Sequence, residues 1–197
     1  ITFLSQLLIA RWLGPKEFGL IGMIMLFVTI GLTLMDSGMS QSLIRTVKAD
    51  DKDFSTVFYS NFVISLIVYF LIYFLSPTIS QFYRQPILIP VIRLYCLSFI
   101  IGSFSSVQIA ILTKDMKFKN IMLCNLPGSF IGIAIGLFLA YHGYKIWSVV
   151  VMYLVIQSSQ SLFLWFFSGW KPQFVFCKIK LKQHFKFGYK LTLSGLL

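Results

Sequence analysis

Long apolar stretches alternate along the chain with short polar connectors. After Gly14-Pro15, the apolar stretches cover Phe18–Ile44, Thr56–Ser76, Ile87–Thr113, Lys119–Tyr141 and Ile146–Ser168. A helix needs about 20 apolar residues to cross a bilayer, and each stretch is long enough. We interpret Ile1–Leu13 as the second half of a first span, and a further span begins near Gly188. The pattern predicts an all-α integral membrane protein with a six-helix transmembrane bundle.

Composition supports a membrane protein. Hydrophobic residues make up 57% of the chain and charged residues 12%, whereas soluble domains carry roughly 25% charged residues. Cys96, Cys124 and Cys177 are far apart and form no Cys-x-x-Cys pair. They therefore indicate neither a disulfide framework nor a zinc site, and we expect no bound metal.

The formal net charge of +11 would indicate a nucleic-acid partner in a soluble protein. In a membrane protein, Lys and Arg instead mark the cytoplasmic face, so we expect the bilayer and no nucleic acid as partner. If the spans alternate in direction, one face receives only Arg11, Lys16, Arg84, Arg93 and Lys145. The other twelve basic residues fall on the opposite face, which we predict to be cytoplasmic.

The segment Phe174–Phe187 mixes lysines with large apolar residues. We predict that it lies on the cytoplasmic membrane surface, where each Lys contributes about 1 kcal/mol near anionic lipid. The alternative is a topology signal with no other role. His184 in this segment and His142 in an outer connector are each isolated in the sequence, so we expect neither to be a ligand.

Polar side chains within the spans should face a protein interior or a water-filled cavity, because exposing them to hydrocarbon costs several kcal/mol. Asp36 is the only acid within a predicted span, and Ser40 follows it on the same helical face. We predict that both residues line a substrate cavity. Because Phe18–Ile44 is longer than a bilayer requires, Asp36 could equally lie at the headgroups.

Five adjacent polar residues, Gln157 to Ser161, occupy the middle of the span Ile146–Ser168. On a helix, Gln157, Gln160 and Ser161 share one face with Tyr153, whose ring could stack on a sugar. We predict that these three polar residues line a cavity. The alternative is helix packing through interhelical hydrogen bonds.

Small residues recur every fourth position at Gly128, Gly132, Gly136 and Ala140. Such a ridge lets two helix backbones approach closely, so packing is its predicted role. Ser98, Gly102, Ser105 and Ser106 form a milder polar stripe in Ile87–Thr113.

The motifs of several enzyme classes are absent from the sequence. It contains no G-x-x-x-x-G-K-[ST] phosphate loop, no H-E-x-x-H and no G-x-S-x-G, and its few acids are not paired within a span. We therefore expect neither catalysis nor a cofactor.

Three segments carry a family resemblance: Ile9–Leu20, Asp36–Arg45 and Ile146–Ser148. In this order and span placement they resemble the polysaccharide exporter family. This family includes the O-antigen flippases, within the superfamily of multidrug, oligosaccharidyl-lipid and polysaccharide exporters. Lys114–Phe118 and Trp170–Phe174 extend the similarity over nearly the whole chain.

The resemblance implies the N-terminal half of a two-bundle alternating-access transporter. Residues 1–170 would form the first bundle, 171–187 a cytoplasmic basic amphipathic connector, and 188–197 the start of the second bundle. The implied activity is translocation of a polyprenyl-diphosphate-linked oligosaccharide from the cytoplasmic to the outer leaflet, for surface polysaccharide such as lipopolysaccharide O-antigen. The implied location is the bacterial inner membrane, alongside other polysaccharide-assembly proteins.

Arg11 is the one site residue carried over from related lipid II flippases, on the pattern Ala10-Arg-x-Leu-Gly14. There the arginine belongs to the cavity, and a guanidinium suits a diphosphate because it offers paired donors. The alternative is that Arg11 extends its charge to the outer membrane interface.

Three other functions stay open at this stage. A multidrug exporter of the same superfamily would need acids deep in its cavity, and this half offers only Asp36. A membrane glycan polymerase or acyltransferase would need Arg, His or Asp in a long outer loop, and the outer connectors are short. The mid-span polar residues argue against a scaffold bundle.

Overall fold

The computed structural model describes residues 14–46 and 49–196, and these are helical without a strand. The helices are α1 (Pro15–Asp36), α2 (Met39–Arg45), α3 (Asp51–Phe82), α4 (Leu88–Tyr95), α5 (Leu97–Lys114), α6 (Phe118–Tyr141), α7 (Ile146–Phe167) and α8 (Lys178–Leu196). In this part of the chain, five helical stretches are long and apolar enough to cross a membrane, with α4 and α5 counted as one. The predicted all-α membrane fold is confirmed, and the first of the six predicted spans lies outside the described residues.

Contacts at the two ends of the bundle show that the spans alternate in direction. Lys145, before α7, places its Nζ 3.7 Å from Glu17 Oε1 at the start of α1. At the opposite end, Lys114 Nζ donates a hydrogen bond of 2.7 Å to the carbonyl oxygen of Thr46. The connectors therefore fall on the two ends as the sequence predicts, and the assignment of the basic end to the cytoplasm remains a prediction.

The prediction of one uninterrupted helix over Phe18–Ile44 is wrong. The chain takes left-handed backbone angles at Ser37 (φ 46°) and Gly38 (φ 66°), which end α1 before α2 begins. At this break Gly38 faces Gly188 of α8, and a Cβ on Gly38 would lie only 2.9 Å from the Gly188 Cα. Because neither glycine has a side chain, the two backbones can touch at this point.

Two other spans differ from their predicted form. The stretch Ile87–Thr113 contains α4 and α5, which meet at Cys96 through a tight turn in which the Phe99 N–H donates to the Cys96 carbonyl at 3.0 Å. Helix α3 extends beyond the predicted end at Ser76, through Pro77 to Phe82. Pro77 cannot donate to the Tyr73 carbonyl, and the Ser76 hydroxyl donates to it at 2.7 Å instead, so the helix continues.

The main hydrophobic core lies between α1, α3, α4, α5 and α7. Phe99 of α5 is fully buried at its centre and packs against Gly31 of α1, where even a Cβ would overlap the ring. Helix α6 reaches this core through Ala140 and packs mainly along α7, while α8 packs against α1, α2 and α3.

The segment before α8 is attached to the first turns of α3. The Gln173 N–H donates to Ser55 Oγ at 3.0 Å, and the Cys177 N–H donates to Thr56 Oγ1 at 3.1 Å. Helix α8 then passes through Gly188 without a break. The predicted boundary between 171–187 and 188–197 thus falls inside a helix, and the division into two bundles remains a prediction.

Candidate functional site

The polar segment Gln157 to Ser161 lies in the middle of α7, as predicted. Gln157 and Gln160 are half-buried, and Ser161 is buried. No side chain of the five hydrogen-bonds to another described residue. Free amides at the middle of a membrane span are costly unless a cavity, a substrate or water satisfies them.

Gln157 points toward the interior of the bundle. A methyl group built on Gly102 of α5 would lie 3.2 Å from Gln157 Nε2 and 3.3 Å from Met35 Cε of α1. The amide of Gln157 therefore meets the last turn of α1 at a point where α5 offers no side chain. The glycine lets Gln157 and Met35 pack closely against the backbone of α5.

Two neighbours fix the rotation of α7. The Tyr153 ring stacks on Tyr95 of α4 with centroids 4.8 Å apart and planes at 15°, and the Trp165 Nε1 donates to the Phe104 carbonyl at 2.9 Å. One helical turn separates Tyr153 from Gln157, so this face of α7 is directed at α4 and α5. One side of the Tyr153 ring is occupied by Tyr95, which leaves it only one face for a sugar.

Ser159 faces away from this side and packs on α6. A Cβ on Gly128 would lie 2.8 Å from Ser159 Cβ, and one on Gly136 would lie 2.8 Å from Met152 Cβ. The glycine ridge of α6 therefore lies directly on α7, which confirms its predicted packing role. The polar segment combines a packing side at Ser159 with a side that carries Gln157.

Asp36 and Ser40 are brought together at the break between α1 and α2. The Ser40 hydroxyl donates to Asp36 Oδ1 across the break, and both residues are half-buried. Asp36 is the last residue of α1, at the end of its span rather than the middle. A role of this pair in substrate binding remains a prediction. Arg11, the remaining predicted site residue, lies outside the described residues.

A second polar group, between α3 and α5, was not predicted as a unit. Asn61 Nδ2 donates to Ser106 Oγ at 3.1 Å, and Ser65 Oγ donates to Ser103 Oγ at 3.3 Å. Gln108 is fully buried near these pairs, and neither atom of its amide has a partner in the described chain. Ser106 of the serine stripe therefore contributes to helix packing, together with Ser103, which lies outside the stripe. The partner residues on α3, Asn61 and Ser65, are four residues apart and so share one helix face. This spacing is visible in the sequence.

A charged cluster joins α8 to α2 and α3. His184 is buried, its Nε2 donates to Asp53 Oδ1 at 3.2 Å, and its Nδ1 lies 2.9 Å from Ser42 Oγ. Lys180 donates to Asp53 Oδ2 at 2.9 Å and also to Asp50. His184 is isolated in the sequence but not in the fold, because folding brings Ser42 of α2 and Asp53 of α3 to it.

The same cluster shifts two pKa values. Hydrogen bonds from Lys180 and from Asp53 lower the pKa of the Asp50 carboxyl. Burial acts to lower the pKa of Lys180, but its hydrogen bonds to Asp50 and Asp53 outweigh this and raise it. Both shifts favour the charged forms, so the ion pairs hold α8 in place at neutral pH. No three His, Cys, Asp or Glu side chains of the described ranges are grouped so as to hold a metal ion.

The comparison with known families decides what this bundle is part of. A family model described as "Polysaccharide biosynthesis protein" matches residues 8–197. The chain belongs to this family. Its membership confirms the resemblance drawn from Ile9–Leu20 and the later segments. No solved structure matches the chain.

Three curated relatives have names that refer to surface polysaccharides. The chain is 27% identical to "Teichuronic acid biosynthesis protein TuaB" of Bacillus subtilis (strain 168) over 79% of its own length and 32% of the relative's. It is 21% identical to "Lipopolysaccharide biosynthesis protein WzxC" of Escherichia coli (strain K12), over 100% of the chain and 40% of the relative. It is 22% identical to "Succinoglycan biosynthesis transport protein ExoT" of Rhizobium meliloti (strain 1021), over 95% and 38%. The chain thus spans about a third to two fifths of the length of these family members.

Proposed function

We propose that the full-length protein is a flippase that moves a polyprenyl-diphosphate-linked oligosaccharide from the cytoplasmic to the outer leaflet. The present chain is its first bundle, and 171–187 leads into a second. Family membership and the names of the three relatives support polysaccharide export, and one relative is named a transport protein. We accordingly place the protein among transporters and not enzymes, in the inner membrane of a bacterium.

The observation that carries this proposal is the pair of mid-span amides on α7. A sugar presents many hydroxyls and little charge, so neutral amides can replace its water without fixing a single pose. Gln157 and Gln160 are half-buried and have no protein partner among the described residues, so their hydrogen-bonding capacity is available to such a ligand. Several weak contacts, rather than one strong contact, allow a sugar to move along a translocation path.

The α7 amides provide the first test. Replacing both Gln157 and Gln160 with Leu in the full-length protein should preserve abundance but strongly reduce surface polysaccharide, because a Leu wall cannot hydrogen-bond to sugars. Surface polysaccharide is measured by immunoblot or glycan staining and normalised to the protein level in the membrane.

Ser158→Leu in the same helix is the matched control. It should lower the protein level through packing, with export per molecule retained. Normal export from the double Gln→Leu variant at normal abundance would show that the amides serve helix packing only.

Arg11 provides a second test, which rests on the resemblance of Ala10–Gly14 to the flippase pattern. Arg11→Ala should abolish surface polysaccharide at unchanged protein level, and Arg11→Lys should restore only part of it, because a point charge lacks the planar pair of donors that binds a diphosphate. Full export by Arg11→Ala would leave Arg11 only an interfacial role.

A further inference from the structure

An apolar groove of about 580 Å³ opens between α3 and the start of α8. Tyr59 and Val63 of α3 form one wall, and Phe176, Leu181 and Phe185 form the other. Val63, Phe176 and Phe185 are each about half exposed, at 53%, 51% and 47%. A groove of this volume with an apolar lining fits a flexible hydrocarbon chain.

Two lysines border the groove. Lys178 and Lys182 are exposed and stand one turn apart on α8, so both are directed at its rim. Within the described residues neither of them forms an ion pair with a carboxylate. Lys180 is directed to the other side of the helix and is paired with Asp50 and Asp53. The acids of this region therefore hold α8 in place while the charges of Lys178 and Lys182 stay available.

We propose that this groove binds an anionic phospholipid of the surrounding membrane. One acyl chain lies along Tyr59, Val63 and Leu181, and the headgroup phosphate is bound by Lys178 and Lys182. The groove and the lipid are complementary in charge and polarity. The apolar wall matches the hydrocarbon chain, and the two lysines without an ion pair match the anionic headgroup. The lipid would tie the first bundle to α8, independently of the substrate that the protein transports.

A second copy of the chain or the remainder of the full-length protein fits the groove less well. Either occupant would cover Lys178 and Lys182. Unless that protein surface supplied acidic residues, burying the two lysine charges would cost free energy. A phospholipid supplies the anion and the apolar chain in one molecule.

Native mass spectrometry of the full-length protein in detergent tests the proposal. Equal amounts of phosphatidylglycerol and phosphatidylcholine with identical acyl chains are added, and the bound lipids are counted. The wild type should retain phosphatidylglycerol preferentially. Lys178→Gln with Lys182→Gln should weaken its binding by roughly fivefold per lysine, the factor that corresponds to about 1 kcal/mol. Lys119→Gln with Lys171→Gln removes the same charge from exposed positions outside the groove and should leave binding unchanged.

The groove itself is tested by Val63→Trp, with Val63→Phe as the milder variant. Both should fill the apolar wall and reduce retention of phosphatidylglycerol although the two lysines remain. The proposal is overturned if the lysine variant keeps the wild-type preference, or if filling the groove changes nothing. It is also overturned if the wild type retains neither lipid, because another part of the full-length chain then covers the groove.

Discussion

The polar residues between α3 and α5 and those in the middle of α7 have similar composition but different surroundings. Asn61 and Ser65 of α3 find partners in Ser106 and Ser103 of α5 across a helix interface, while the buried Asn61 Oδ1 has none in the described chain. Gln157 and Gln160 of α7 find none in the described chain. Gln108 of α5 also has no partner in the described chain, but it is fully buried. A missing partner together with partial exposure therefore distinguishes Gln157 and Gln160 as residues open to a ligand.

The difference has a physical origin in the fold. Helix α5 is enclosed between α3 and α7, so its hydroxyls are buried on contact with α3. Helix α7 packs on α6 through Ser159 and the glycine ridge, and Gln157 packs close to Gly102 of α5 without a hydrogen-bond partner in the described chain. The fold thus buries the polar group between α3 and α5 and leaves the α7 amides half-buried without a partner in the described chain.

The largest predicted effect comes from overfilling the buried interface between α3 and α5. Ser103 is fully buried, so Ser103→Leu should destabilise the bundle by about 1–3 kcal/mol and lower the amount of folded protein. Ser158→Leu, the same change at a half-buried position of α7, should cost less. Fluorescence-detected size-exclusion chromatography after heating measures the folded fraction, and equal losses in the two variants would contradict the distinction between the regions.

A smaller effect, of opposite sign, is expected at Gln108 in the same buried region. Its buried amide has no partner in the described chain, and leaving a buried polar group unpaired costs about 1–3 kcal/mol. Gln108→Leu keeps a similar volume and removes this cost, so the apparent Tm should stay equal or rise. A clear fall in Tm would mean that the amide is satisfied in the folded protein and contributes to it.

Sequence periodicity predicted the spans because the membrane imposes long apolar helices. It also placed the glycine ridge of α6 correctly, since a repeat of four residues defines a helix face. It did not predict the break at Ser37-Gly38. At that break Gly38 packs against Gly188, which is far away in the sequence.

The site was predicted in part for the same reason. The run Gln157–Ser161 stands out within one span, whereas the ion pairs of Asp53 with Lys180 and His184 join residues more than 120 positions apart. Pattern within a helix shows which polar residues share a face. It does not show which helix meets that face, and so it predicts neither the partners of His184 nor the pairs between α3 and α5.

Site-specific photo-crosslinking tests most directly whether the open face of α7 contacts the glycan. The photoreactive residue p-benzoylphenylalanine replaces Gln157 in the full-length protein, or replaces Leu162, which is 61% exposed on the same helix and serves as control. After irradiation of intact cells, the purified protein is probed for attached glycan. We expect a glycan adduct from position 157 and none from position 162. Equal labelling at both positions, or labelling at 162 alone, would contradict it.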